Sequence, residues 1–203
     1  MSRHRAVLLA AGGSRRLGRP KQLLLRDGEP LVRRVARLAL ATDADEVLVI
    51  CGAFEADIRA ALQGLPLHCL SHPDWQHGLG SSVRRAATQL QQYDGPVLML
   101  TTDQPALTVS HLQALLQMAA ASESGCAATA HTDGQARRAG IPAVVPAMLL
   151  RQAGLRADKG LRHQLNALPA DRVGWLDAPE LWRDLDTPQA MAEAIALGLL
   201  DPQ

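Results

Sequence analysis

The chain has 203 residues, 47% of them hydrophobic and 20% charged, which is enough for a sizeable buried core and unlike a disordered segment. Its 21 basic and 20 acidic residues leave a net charge of +1, so no overall basic field exists to hold nucleic acid non-specifically. With one Tyr, one Phe and three Trp, the core has to be built from Leu, Val, Ile and Ala.

The N-terminus imitates a targeting segment without completing one. Met1-Ser2-Arg3-His4-Arg5 precedes an apolar run, and Ser14-Arg15-Arg16 mimics a twin-arginine signal. Gly12-Gly13 and the following cations interrupt that run before a signal-peptide core of ordinary length forms. Nothing approaches a membrane span, so a cytoplasmic protein without membrane or nucleic-acid partners is expected. Cys51, Cys69 and Cys126 are widely spaced and form no C-x-x-C pair, which predicts free, buried thiols and neither a disulfide framework nor a zinc site.

Ala6 to Ala10 is wholly apolar, the pattern of a buried parallel strand, and it runs into the small residues Ala11-Gly12-Gly13-Ser14. Arg15, Arg16, Arg19 and Lys21 follow within seven positions. A strand ending in a small-residue loop with cations beyond it suits a phosphate, surrounded by backbone N–H groups and neutralised by side chains. The spacing alone also fits a solvated basic loop. Neither G-x-G-x-x-G nor the P-loop is present, because Gly12 and Gly13 are adjacent and Gly18 is followed by Arg19-Pro20.

Further on, Pro30 to Leu40 has helical spacing, Glu46 to Cys51 reads as a strand, Ala53 to Leu62 as a helix and Leu67 to Leu70 as a strand. His72 to Val83 is a loop opening a helix that runs to Gln92, with Ser81 or Ser82 as the expected N-cap and Trp75 as a packing residue or a ligand contact. Val97 to Leu100 is the next strand, and Asp103 lies just past its end, a position that suits either a turn or a ligand. Thr108 to Ala121 follows as a helix, and Cys126 to Ala130 as a strand. The stretch from His131 to Gly140 is polar. Thr187-Pro188 starts a final helix, with Asp186 as an acid in its capping region. The alternation predicts one α/β domain over residues 1–203, with a mainly parallel sheet flanked by helices.

The run from Leu9 to Leu24, L-A-A-G-G-S-R-R-L-G-R-P-K-Q-L-L, resembles the loop shared by nucleotidyltransferases that activate sugars, alditol phosphates and the molybdenum cofactor. Its P-K-Q-L-L ending is most similar to the molybdenum cofactor cytidylyltransferase branch. That resemblance implies a Rossmann-like nucleotidyltransferase fold. It also implies that Leu9, Ala10, Ala11, Gly12, Gly13 and Ser14 wrap an NTP, with Arg15 and Lys21 on its phosphates. Trp75 to Ser82 resembles the segment that closes over base and ribose, with Gly78 and Ser82 as base contacts. Asp103-Gln104-Pro105 and Asp184-Leu185-Asp186-Thr187-Pro188 resemble the motifs whose carboxylates, here Asp103 and Asp186, hold Mg2+. Gly140-Ile141-Pro142 matches the acceptor segment, and Asp158, Gly160 and Arg162 are what remains of a weaker motif.

Arg15, Lys21 and Asp103 are therefore the expected catalytic residues, with CTP and molybdopterin as substrates. A molybdoenzyme or its maturation factor is a further expected partner. Two other readings stay open. One is a related transferase using another NTP or a sugar or alditol phosphate, and the other is a non-catalytic maturation factor.

Overall fold

The computed structural model describes residues 3–133, 136–152, 160–182 and 184–202. In chain order its strands are β1 (Arg5–Leu9), β2 (Leu25–Arg26), β3 (Glu29–Pro30), β4 (Glu46–Cys51), β5 (His68–Ser71), β6 (Pro96–Thr101), β7 (Cys126–Asp133), β8 (Ala136–Pro146) and β9 (Val173–Asp177). The helices are α1 (Leu31–Leu40), α2 (Glu55–Ala61), α3 (Leu79–Gln89), α4 (Val109–Ala121), α5 (Ala147–Arg151), α6 (Gly160–Ala167) and α7 (Pro188–Ala196).

The apolar runs of β1, β4 and β6 are continuous because these strands lie inside the sheet and have both faces covered. Alternate residues then serve opposite cores. Ala6 and Leu8 of β1 join Val47, Val49, Leu98 and Leu100 beneath α1 and α4. Val7 and Leu9 join Leu48, Ile50, Val97 and Met99 beneath α3. A third, smaller cluster holds Leu17, Leu24 and Leu31 against Leu185, Ala194 and Leu200, and so packs α7 behind the loop that follows β1.

The large sheet has seven strands in the order β5-β4-β1-β6-β8-β7-β9, and β2 pairs with β3 in a separate small hairpin. Strands β5, β4, β1 and β6 are mutually parallel, and β9 runs parallel to β7. Strand β8 is antiparallel to both neighbours, so the sheet is mixed as well as mainly parallel. The segment that looked merely polar, 131–140, belongs largely to the β7–β8 hairpin, whose ladder reaches Asp133↔Ala136. Backbone pairing sustains these strands without an apolar run, and Arg137 and Arg138 are exposed on them. Strand β9 was not legible either. It lies at the sheet edge with most of its residues half-buried, so the apolar signal of a covered strand is missing.

No described helix is long and apolar enough to cross a membrane. All three cysteines are free thiols, and burial together with the neighbouring Cys69 pushes the Cys51 thiol up to about 12.

Candidate functional site

Because β5, β4, β1 and β6 are parallel, the loops at their carboxyl ends meet along one edge of the sheet. They enclose a cleft of about 330 Å³. The loop after β1 contributes Leu9, Ala11, Gly12, Gly13, Ser14, Arg15 and Lys21, the segment after β5 contributes Trp75, Gly78 and Ser82, and Asp103 arrives from β6. Ala10 is the exception among the expected loop residues, being 1% exposed and part of the apolar core. Asp186 reaches the cleft through its bond to Lys21.

The loop is held by its own side chains. Ser14 takes a left-handed conformation, φ 46°, which is costly for a residue with a Cβ. Compensation comes from its carbonyl, which accepts from the N–H groups of Leu17 and Gly18 at 3.1 and 3.0 Å. Its hydroxyl accepts from the Lys21 N–H at 3.1 Å and donates to Gln22 Oε1 at 3.3 Å. Gln22 is 1% exposed, and its amide donates to the carbonyls of Ala10 and Gly12 at 2.9 and 2.7 Å. Sequence reasoning quoted Gln22 within the motif but gave it no task. Its three bonds draw the loop's two ends together.

Lys21 is the electrostatic centre. Its Nζ donates to Asp103 Oδ2 and to Asp186 Oδ1, both at 2.8 Å, with the lysine side chain 17% exposed. Arg16 donates to the other oxygen of Asp186. Burial alone would lower the lysine pKa, but the Asp103 charge and the bonds to both carboxylates outweigh it and hold the ammonium above its ordinary value. Burial likewise acts to raise Asp103, and the Lys21 charge and hydrogen bond, with help from Thr101, hold it below the usual carboxylate range. Asp184 is exposed as a residue, yet desolvation of its carboxyl and the charges of Asp103 and Asp186 push its pKa up.

Gln104 explains how residues so distant in sequence stay in place. It is 3% exposed, and its amide donates to Ile141 O at 2.6 Å and Leu181 O at 3.1 Å. It thereby ties the residue after Asp103 to β8 and to the strap that carries Asp186. Among the described residues its Oε1 is buried without a hydrogen-bond partner.

Helix α3 begins differently from expectation. Gly78, at φ 85°, is the N-cap and provides no side-chain bond, while Ser81 and Ser82 lie in the first turn. Ser81 is occupied elsewhere, 2.8 Å from His72 Nε2 and donating to Gly78 O at 2.7 Å. Ser82 lines the cleft. At the other end of the chain Thr187 caps α7, accepting from Ala190 N–H at 3.1 Å, which leaves Asp186 free to face Lys21. Of the weak motif, residues 157–159 lie outside the described residues, whereas Arg162 is on α6 and Gly140 to Pro142 are in β8.

The donor set suits a hard divalent cation. Two carboxylates already converge on one positive charge, and magnesium or manganese prefers such oxygens with phosphates and water completing the shell. Among the described residues no group of three or more His, Cys, Asp or Glu side chains is placed to hold a metal by itself. A cation held by these two carboxylates would complete its shell with water or with oxygens of a bound substrate.

Residues 6–173 match the model of the MobA-like NTP transferase domain. The chain is 34% identical over 145 residues to a nicotine blue oxidoreductase of Paenarthrobacter nicotinovorans, covering 70% of this chain and 71% of that one. It is 37% identical over 130 residues to a probable molybdenum cofactor guanylyltransferase of Synechococcus elongatus, covering 63% and 65% of the two chains. A solved nucleotidyl transferase from Methanothermobacter thermautotroptrophicus superposes with a TM-score of 0.75 at 21% identity, covering 98% and 99% of the two chains. That likeness shows the shared fold of sheet and flanking helices. The chain belongs to the MobA-like NTP transferase family and is a nucleotidyltransferase.

Proposed function

We propose that the protein transfers CMP from CTP to molybdopterin, as one cytoplasmic domain spanning residues 1–203, with Mg2+ bound by Asp103 and Asp186. The observation that carries this reading is the Lys21 ammonium held between those two carboxylates beside a glycine-lined cleft. An oxygen of the acceptor's terminal phosphate bonds to the α-phosphorus of the NTP. The bond from that phosphorus to the bridging oxygen breaks, and pyrophosphate leaves with the electron pair.

The work of the chain is positioning and charge neutralisation. The N–H groups of residues 11–15 surround the triphosphate, and Arg15 and Lys21 take the charge that builds on the leaving group. Lys21, fully protonated at neutral pH, is suited to that role. The attacking phosphate is already ionised and needs no general base. A metal held by Asp103 and Asp186 would supply positive charge that lowers the cost of bringing two anions together. Gly78 and Ser82 face the base, and Gly140 to Pro142 the acceptor.

The choice of CTP rests on Ala10-Ala11-Gly12, where the guanylyl branch usually carries Ala-Gly-Gly. Ala11 lines the cleft and is 3% exposed, and its methyl lies 2.8 Å from where a Cβ on Gly52 would start. The methyl packs toward Gly52 and the core, so the preference for a pyrimidine rests on the resemblance of the triplet and on the narrower bend it makes. GTP is the second reading, favoured by the relative named a guanylyltransferase. The deciding experiment incubates the protein with magnesium, molybdopterin and each NTP in turn, and identifies product and pyrophosphate. CTP is expected to give molybdopterin cytosine dinucleotide. Faster turnover with GTP overturns the base, a sugar phosphate in place of the pterin overturns the acceptor, and no pyrophosphate with any NTP or acceptor overturns the reaction.

A further inference from the structure

Trp75 touches the phosphate loop and the end of β4 at the same time. A Cβ added to Gly13 would lie 2.8 and 2.9 Å from Cζ3 and Cη2 of the indole, and a Cβ on Gly52 would lie 2.8 Å from the Trp75 Cβ. Neither glycine has a positive φ, so backbone conformation does not require glycine at these positions. At Gly13 the close approach of the tryptophan does, and at Gly52 Trp75 does so together with Ala11, whose carbonyl oxygen would lie 2.6 Å from the added Cβ. The side chain is thus seated over Gly52 at its root and over Gly13 at its outer edge. The Arg15 guanidinium lies 5.8 Å from the ring centroid, so the same indole also gives that long, exposed side chain a surface to rest on.

Its own segment is anchored to the sheet. His72 N–H donates to Cys51 O at 2.8 Å, Trp75 N–H donates to His72 O at 3.3 Å, and Gly78 N–H donates to Trp75 O at 3.2 Å. The indole packs against the core that holds Val7, Leu9 and Ile50. A rigid aromatic plate therefore runs from the sheet to the part of the loop where the triphosphate would sit.

We propose that Trp75 is a positioning residue for the triphosphate: it fixes the Gly13 backbone and the Arg15 side chain for the anion and does not read the base. The inference rests on the reading of residues 9–22 as the triphosphate loop. It predicts that Trp75 matters for a ligand that has no base at all.

The test is calorimetric titration of tripolyphosphate and of CTP, each with magnesium, into wild type, Trp75→Ala, Gly13→Ala and the double variant. Trp75→Ala is expected to weaken both ligands by about 5- to 10-fold, the size of a lost cation–π contact plus a loosened loop. Gly13→Ala drives a methyl into the indole and should weaken both as well. The double variant, in which methyl and indole no longer meet, should bind no worse than the weaker single variant. Trp75→Phe keeps an aromatic face but lacks the ring that reaches Gly13. It should lie between wild type and Trp75→Ala, and it serves if the alanine variant does not fold.

Loss of CTP binding with tripolyphosphate unaffected would make Trp75 a base contact and overturn the inference. So would single losses that multiply in the double variant. A wild type that binds neither ligand would sink the phosphate-loop reading and this inference with it. A wild type that binds both, beside an unaltered Trp75→Ala, would sink the inference alone.

Discussion

Replacing Lys21 with methionine keeps most of the side chain's length and removes the charge shared by Asp103 and Asp186. Breaking a buried ion pair costs about 3–5 kcal/mol when the remaining charge stays buried. Here Lys21, Asp103 and Asp186 are 17%, 16% and 33% exposed, so water screens part of the loss. A destabilisation of about 1–3 kcal/mol at pH 7 follows, or roughly 2–10 °C in Tm for a chain of this size. The sign of its pH dependence is set by the two shifts. Asp103 is depressed, so its contribution is present above the ordinary carboxylate pKa and lost as pH falls through the lower folded value. Lys21 is raised, so its contribution is present below the ordinary lysine pKa and lost as pH rises through the higher folded value. The gap between wild type and variant should therefore be widest between about pH 5 and pH 9 and shrink toward pH 3. Millimolar Mg2+ or Mn2+ without nucleotide should raise the variant's Tm more than the wild type's, because its carboxylates no longer have a resident ammonium. Scanning calorimetry across pH, with and without metal, reads all three. Equal melting at pH 7, or a gap that persists undiminished at pH 3, would refute the electrostatic account.

Lys21→Ala should lower turnover by about 10²–10³-fold in a pyrophosphate-release assay, by analogy with removing one preorganised donor to developing negative charge. A fall of less than tenfold would place Lys21 outside the chemistry. Gln22→Leu strands the carbonyls of Ala10 and Gly12 and should cost about 1–3 kcal/mol in denaturant melts while weakening tripolyphosphate binding. Unchanged affinity would mean that the loop holds its shape without the amide. Gln104→Leu should raise the metal concentration giving half-maximal activity, because the tie between Asp103's segment and the strap carrying Asp186 is lost. A lower Tm with an unchanged metal requirement would make Gln104 merely structural.

The half of the fold around β1, β4 and β6 could be read because those strands are covered on both faces and their composition says so. Beyond the expected strand Cys126 to Ala130, the β7–β8 hairpin and β9 could not, since paired backbone and a half-exposed edge leave little trace in hydrophobicity. In the candidate site, small residues and cations in one short stretch suited a phosphate loop or a solvated basic loop, and Asp103 after a central strand suited a turn or a ligand, so that resemblance decided both. Asp186's place in the site had no local sign and came only through resemblance, and its ion pair with Lys21, across 165 positions, was not foreseen at all. The tasks of Gln22 and Gln104 were hidden for a related reason. A buried glutamine is defined by the carbonyls it satisfies, and those lie on other segments. Ser81 misled because a serine near a helix start reads as a cap, whereas here the chain turns at Gly78 and the serine is committed to His72.

The strap from β9 to α7 carries the second acid of the site. The family model ends at residue 173, so what it matches includes the cradle and Asp103 but not Asp186. Beyond that point the chain is clasped from behind, with the Asp201 carboxylate accepting from the N–H groups of Asp27 and Gly28 at 2.9 and 2.8 Å. The strap between Asp177 and Thr187 bears on the spacing of the two acids, and it is pinned to the sheet where Gln104 donates to Leu181 O and Trp182 Nε1 donates to Ala130 O. Lengthening or shortening it by a residue would move Asp186 against Lys21 and disturb the packing of Leu185 and Ala194 behind the loop, so that metal grip and anion cradle are tuned together.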